Sequence, residues 1–269
     1  DFSDINIEPG DRIEYWFEVW DNDRINGSKS TRSGLGTVEV PGIAEREQQI
    51  ADRQNEMTTE MTSVQKELLR LSKEIEQLQK TILQKESISW EDTQKLQQML
   101  EQQQELQSKV EKLKDENTAL NRLQNEINPY NEDIMKKQQE LQKLFDDIMT
   151  DEMKKLFEDI QNLLDKLDRE KMQDALNQMK LSNKDLMDDL DRTLELFKQL
   201  EMEKMITETV EKLNKLAEEQ DELLKETSDA GSDSEELDKK QEEIAEQFEK
   251  IKEDINKLEE KNEELEEKY

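Results

Sequence analysis

The stretch that decides the fold runs from Met57 to Ile82, "MTTEMTSVQKELLRLSKEIEQLQKTI". Met57, Met61, Val64, Leu68, Leu71, Ile75, Leu78 and Ile82 recur at alternating spacings of four and three, mostly with polar residues between them. That spacing is a heptad seam: it lays one apolar stripe along a helix and leaves the other faces to water. The pattern predicts a helix over 45–86, a rod of roughly 60 Å at the standard rise per residue.

Working outward, Ser87 to Ser89 interrupts the seam, and Ser89 followed by Asp92 reads as a helix N-cap with an acidic first turn. The stripe resumes through Leu96, Met99, Leu106, Val110, Leu113, Leu120 and Ile127, with Gln103, Asn117 and Gln124 polar at core positions. A polar side chain such as Asn117, or Asn262 further on, fixes register and partner number at a cost in stability. Asn128-Pro129 ends the second helix, because proline disfavours helical geometry in the residue before it. So short a linker predicts an antiparallel hairpin, with Leu68 opposite Leu106 and Val64 opposite Val110, a slip of one heptad being the alternative.

Residues 131–180 are denser in apolar groups, and caps at Thr150, Asp168 and Ser182 predict three short helices packed as a small bundle. A long helix is expected from Lys184 to Glu226 through Leu186, Leu190, Leu194, Phe197, Ile206, Leu213, Leu216 and Leu223. After the loop Thr227 to Asp233, Ser234 caps a last helix carrying Leu237, Ile244, Phe248, Ile251, Ile255, Leu258 and Leu265. These two should pair antiparallel, with Leu213 near Ile251 and Leu216 near Phe248.

Leu144 to Met179 holds more apolar residues than a two-helix seam buries, so it forms either a compact core or a docking face. Its candidate partner-binding residues are Phe145, Met149, Met153, Phe157 and Ile160. Met149, Met153, Met172 and Met179 suit an irregular partner groove, but ordinary core filling is the simpler reading of them.

The amino-terminal residues obey another period. Ile13, Tyr15, Phe17 and Val19 alternate with Glu14, Trp16, Glu18 and Trp20, and Leu35 to Val40 reads as the partner strand of a β-hairpin. A lone hairpin is marginal in water, and this one bears aromatic residues on both faces. The expectation is therefore that residues 1–42 are the last strands of an immunoglobulin-like sandwich, and that the chain is a fragment of a longer protein. The fold class expected is mostly α: long antiparallel coiled-coil hairpins (43–130 and 184–269) flanking a short-helix bundle (131–183), after that β-hairpin.

Composition narrows the function classes. With 41% charged residues, six Gly and three Pro in 269 residues, the chain suits long helices rather than a globular core. A net charge of −31 repels nucleic acid and anionic lipid surfaces. Absence of Cys and His removes thiolate and imidazole chemistry. No apolar run reaches the roughly 20 residues needed to span a bilayer, so any membrane attachment is expected through segments outside this chain.

Asp21, Asp23 and Asn26 offer oxygens for Ca²⁺, but Ile25 breaks the EF-hand spacing and a solvated turn is the simpler reading. Asn26-Gly27-Ser28 is formally a glycosylation sequon and more simply a turn. Asp229, Asp233 and Glu235 lie near a helix start, whose dipole explains them, and Asp188, Asp189 and Asp191 face mostly water on a helix. Among 70 acidic residues, carboxylates close in sequence say little about acid–base catalysis. No cofactor, no metal and no enzymatic activity are expected.

The order "PGDRIEYWFEVWDND…NGSKS", followed by a Pro-Gly linker and Lys/Glu/Gln-rich helices containing "SWEDTQKLQQML" and "LDRTLELFKQLE", resembles long membrane-anchored envelope proteins of Bacteroidota. In those, transmembrane helices precede immunoglobulin-like domains and a long helical region. The resemblance implies a periplasmic or envelope location, anchored to the inner membrane by upstream segments. It brings no catalytic residues. Two classes of function follow: a structural scaffold acting through helical contacts with envelope proteins, or an accessory coiled coil of an envelope ATPase or transport assembly whose catalytic part lies elsewhere. Apolar spans and β-repeats upstream would mark the first, a phosphate-binding loop the second.

Overall fold

The computed structural model describes residues 7–21, 27–85, 87–127, 131–148, 151–163, 169–228 and 234–265, side chains at 151–154, 163 and 169 excepted. Four short strands, β1 (Arg12–Tyr15), β2 (Glu18–Trp20), β3 (Ser30–Arg32) and β4 (Gly36–Glu39), precede six helices. These are α1 (Ile43–Gln84), α2 (Trp90–Ile127), α3 (Glu132–Asp147), α4 (Asp151–Leu163), α5 (Arg169–Ser228) and α6 (Ser234–Glu263).

The expected hairpin is present but broken in two. β1 pairs antiparallel with β4 and β2 with β3, and the register changes by one residue between Tyr15↔Gly36 and Glu18↔Arg32. At the break, Ser33 Oγ accepts from the Phe17 amide at 2.9 Å, and the Ser33 amide donates to the Phe17 carbonyl at 2.8 Å. The extra residue on the returning strand acts as a bulge, which ends one ladder and starts the next. The uninterrupted strand expected from Ile13 to Trp20 is corrected accordingly: alternation fixes faces, but not where a side-chain hydroxyl displaces a ladder bond. Tyr15 lies over Gly36 so closely that a Cβ there would sit 2.5 Å from the ring. Tyr15 and Phe17 meet edge to face at 5.9 Å, and the Arg32 guanidinium stacks 5.1 Å from the Trp16 ring. Phe17, Val19, Trp20 and Leu35 remain exposed.

Each helical seam is fixed by cross-helix polar contacts that share one alignment. Between α1 and α2, Lys109 Nζ meets Glu67 at 2.8 Å, where the pairing of Leu68 with Leu106 puts these flanking residues. A slip of one heptad would set Lys109 opposite a residue seven away. Between α1 and α5, Gln79 bonds Asn177, Gln65 bonds Asp191, and Lys180 approaches Glu76 at 3.9 Å, so these helices are antiparallel. α3 runs back along α2, with Lys114 on Asp146 at 2.7 Å and Thr118 Oγ1 donating to Gln142 at 3.0 Å. α3 and α4 follow one another along α2 and α5. The result is a four-legged bundle whose third leg is split into two helices. A single apolar cluster runs through it, from Ile50 to Leu200.

Ser182 does not cap a helix: it lies within α5, which starts at Arg169 and not near Lys184. Met172, Leu176, Met179, Leu186 and Leu190 are all buried, so the stripe passes straight through Ser182 and the buried Asn183. Packing of that stripe against α1 outweighs the capping preference of serine. The boundary drawn at residue 183 therefore falls inside a helix. The caps proposed at Thr150 and Asp168 lie outside the described residues, as do Asn128 and Pro129.

Two other caps are formed by side chains. Ser89 and Asp92 make a capping box: Ser89 Oγ accepts from the Asp92 amide at 3.3 Å, and Asp92 Oδ2 accepts from the Ser89 amide at 3.0 Å. Lys85 adds a 2.7 Å ion pair across the turn. Asn131 caps α3, accepting from the amides of Asp133 and Ile134.

α5 continues past the bundle, and α6 folds back along it to form an arm. Lys240–Glu226 at 2.7 Å, Gln247–Glu219 at 3.3 Å and Asp254–Lys212 at 2.8 Å recur once per heptad along one flank. They bear the same relation to Leu213–Ile251 and Leu216–Phe248 as Lys109–Glu67 bears to Leu68–Leu106. Leu216, Leu223, Ile244 and Ile251 form a small core of the arm, with Leu213 and Leu237 beside it.

Candidate functional site: a polar junction between bundle and arm

Where α5 leaves the bundle, the first turns of α1, the last turns of α2 and the end of α6 converge on it around a cleft of about 390 Å³. Lys204 of α5 is buried there, with 4% of its surface exposed, and donates to Gln124 Oε1 of α2. Burial pushes its ammonium down to about 8 from the ordinary 10.5, against the opposing pull of Glu208 and Glu201. One turn away, the buried Glu201 accepts from Lys261 of α6 at 2.8 Å, and Lys261 also reaches Asn55 of α1 at 3.5 Å. Lys198 donates to the Glu264 carbonyl at 3.4 Å. Lys212 closes the outer side on Asp254; burial works to lower its pKa, but that hydrogen bond and the surrounding carboxylates raise it overall.

Lys204 with Gln124, and Lys261 with Glu201 and Asn55, thus tie α5 to α2 and α6 to α5 and α1. Beside them Met202, Leu258 and Leu265 form only a small apolar contact. The chemistry on offer is charge and hydrogen-bond exchange between helices, with a lysine whose protonation lies within reach of neutral pH.

The sequence reading did not find this junction. Its signal was the phase of the α5 stripe, which, continued from Phe197 at spacings of four and three, falls on Glu201 and Lys204. Gln124 was legible as a polar core residue; its partner was not.

The residues put forward as a partner surface sit elsewhere. Phe145, Phe157 and Ile160 are buried, at 1%, 3% and 1% exposure, in the bundle's continuous core. Of the two alternatives for Leu144 to Met179, these three side chains take the core, because α2 and α5 flank them and the surplus apolar area closes a four-legged interior. They are corrected from docking to core residues. Met149 lies outside the described residues, and so does the side chain of Met153. Met172 and Met179 are buried core residues as well.

Asp21 Oδ1 accepts from the Lys29 amide at 2.9 Å, which is turn chemistry, while Asp23, Asn26, Asp229 and Asp233 lie outside the described residues. Asp189 and Asp191 have their carboxyls raised, first by burial and then by neighbouring acids. Among the described residues no group of three or more carboxylates is gathered to hold a metal ion. Asn117 is buried at its seam position and donates to Gln142 at 3.2 Å. No protein-family model, curated protein or solved structure matches this chain.

Proposed function

We propose that this chain is a non-enzymatic scaffolding segment of a cell-envelope protein, acting through helical protein–protein contacts. The observation that carries this reading is α5, which runs as a single helix from Arg169 to Ser228 and is shared by bundle and arm. At 1.5 Å per residue it is a strut of about 90 Å. One end is clamped in a four-legged core, and the other carries a slender two-helix arm. That is a spacer's geometry, with the load path along the helix axis. No helix of the described residues is long and apolar enough to cross a membrane; on this reading the anchor belongs to segments outside this chain. The exposed aromatic β-ladders fit the same reading, as the edge of a larger immunoglobulin-like domain.

The test is envelope fractionation of the source cells with antibodies to this segment, combined with site-specific photo-crosslinking along the arm. Membrane-associated signal and recurrent protein adducts support the scaffold. A freely soluble distribution without adducts contradicts it.

A further inference from the structure

The two flanks of the arm differ. One is closed by the polar ladder of Lys240–Glu226, Gln247–Glu219 and Asp254–Lys212, and the other is crossed toward the tip by one amide pair, Gln220 with Gln241 at 3.1 and 3.2 Å, leaving its apolar residues uncovered. On the other, α5 carries Val210, Ala217 and Leu224, each a heptad apart and each following a buried seam residue, Thr209, Leu216 or Leu223. A two-stranded seam needs apolar groups at two positions per heptad; a third, adjoining one is the pattern of a helix that packs on two neighbours. α6 supplies the facing wall with Ala245, Phe248 and Ile255. Phe248 is 46% exposed, Val210 49% and Leu224 63%, whereas in the bundle the seam closes almost completely.

The border of this open flank is acidic. Glu218 and Asp221 on α5, and Glu242, Glu246, Glu249 and Glu253 on α6, are exposed around it. Of the cations near it, Lys252 is bridged to Glu249 at 2.9 Å, and Lys225 beside Leu224 and Lys250 near Phe248 are exposed, so that the carboxylates outnumber them two to one. A second copy of this chain would bring a like-charged border against this one, out of a molecule of net charge −31. We propose that the open flank of the arm is a docking groove for a basic amphipathic α-helix of another protein. Its apolar residues at heptad spacing would cover Phe248, Ile255 and Leu224, and its Lys and Arg side chains would meet the carboxylate border.

This inference rests on the scaffold reading and names the surface through which it acts. The probe is a synthetic helical peptide with Leu at the two seam positions of each heptad and Lys elsewhere, titrated calorimetrically into the 269-residue chain. Saturable one-to-one binding is expected, with hydrogen exchange slowed over 210–224 and 245–255. Phe248→Asp and Leu224→Asp should each weaken it by about tenfold or more. Both side chains are largely exposed, so helicity by circular dichroism should persist.

Equal binding of a scrambled peptide of the same composition would overturn the proposal, since charge alone would then suffice. Equal binding of a peptide with Glu in place of Lys would overturn the charge argument. Self-association of the chain that Phe248→Asp abolishes would make the occupant a second copy and overturn it as well. No binding, or binding indifferent to both substitutions, ends it. Envelope fractionation is independent of all these outcomes, so a chain found in the envelope with an inert groove sinks the groove and not the scaffold.

Discussion

Leu68 in the bundle and Phe248 in the arm hold seam positions of the same kind, in sequences of the same heptad grammar. Leu68 is 1% exposed and Phe248 46%. The difference lies in the number of neighbours. α1 is flanked by both α2 and α5, and α3 and α4 close the far side, so the seam has no open edge. In the arm, among the described residues, α6 is the one helix packed along α5. Heptads therefore specify which face of a helix is apolar, while the count of helices around that face decides whether it becomes core or surface.

The largest effect should come from the bundle's interior. Phe145→Ala removes a fully buried ring and should cost about 3–5 kcal/mol. Chemical denaturation should show it as one cooperative shift, because a single apolar cluster joins the legs of the bundle. Loss of an arm-only transition instead would break the comparison.

The junction comes next. Between about pH 8 and 10.5 the unfolded chain holds a proton on Lys204 that the folded chain has released, so stability contributed by this site rises with pH across that window. Below it the buried ammonium is a net cost of roughly 3 kcal/mol, taking 1.4 kcal/mol per unit. Lys204→Met should accordingly raise the melting temperature at pH 7, and the gain should shrink as pH approaches 10.5. A gain that does not change with pH would detach the effect from the ammonium.

A smaller effect sits at the tip of the first hairpin. Burial tends to raise the Asp92 carboxyl, but hydrogen bonds from Lys85 and Ser89 outweigh it and hold it at about 2, below the ordinary 3.8. Its contribution is complete above about pH 4 and lost as pH falls toward 2; it amounts to at most about 2 kcal/mol. Asp92→Asn should flatten acid unfolding in that range, and an unchanged profile would remove the capping box from the account. Smallest of all, Phe248→Ala should cost less than about 1 kcal/mol, since half of its surface already meets water. A loss comparable with that of Phe145→Ala would mean that the arm's seam is closed in solution.

The seams, the alignment of both hairpins and the N-cap at Ser89 were legible in the sequence because each depends on local spacing, whereas the reciprocal bond from the Ser89 amide to Asp92 was not read there. The union of the first hairpin with α3, α4 and α5 into one core was not. It depends on α5 passing through Ser182 and Asn183, where residue propensity argues for a break and only packing against α1 argues for continuity. Lys204 was missed for the opposite reason. A lysine in a Lys-rich helix looks solvated until the ends of α2 and α6 are seen to close over it. Of the candidate partner residues, Phe145, Phe157 and Ile160 were correctly marked as surplus to a two-helix seam, but the surplus went inward.

The central claim is that α5 runs antiparallel to α1 through the bundle before it becomes the arm. The chain lacks cysteine, so pairs introduced at Gln79 with Asn177 and at Gln65 with Asp191 report without background. A short bismaleimide should link both pairs within one chain, with yields independent of protein concentration. Links that form only between chains, or at one pair and not the other, would contradict the shared helix.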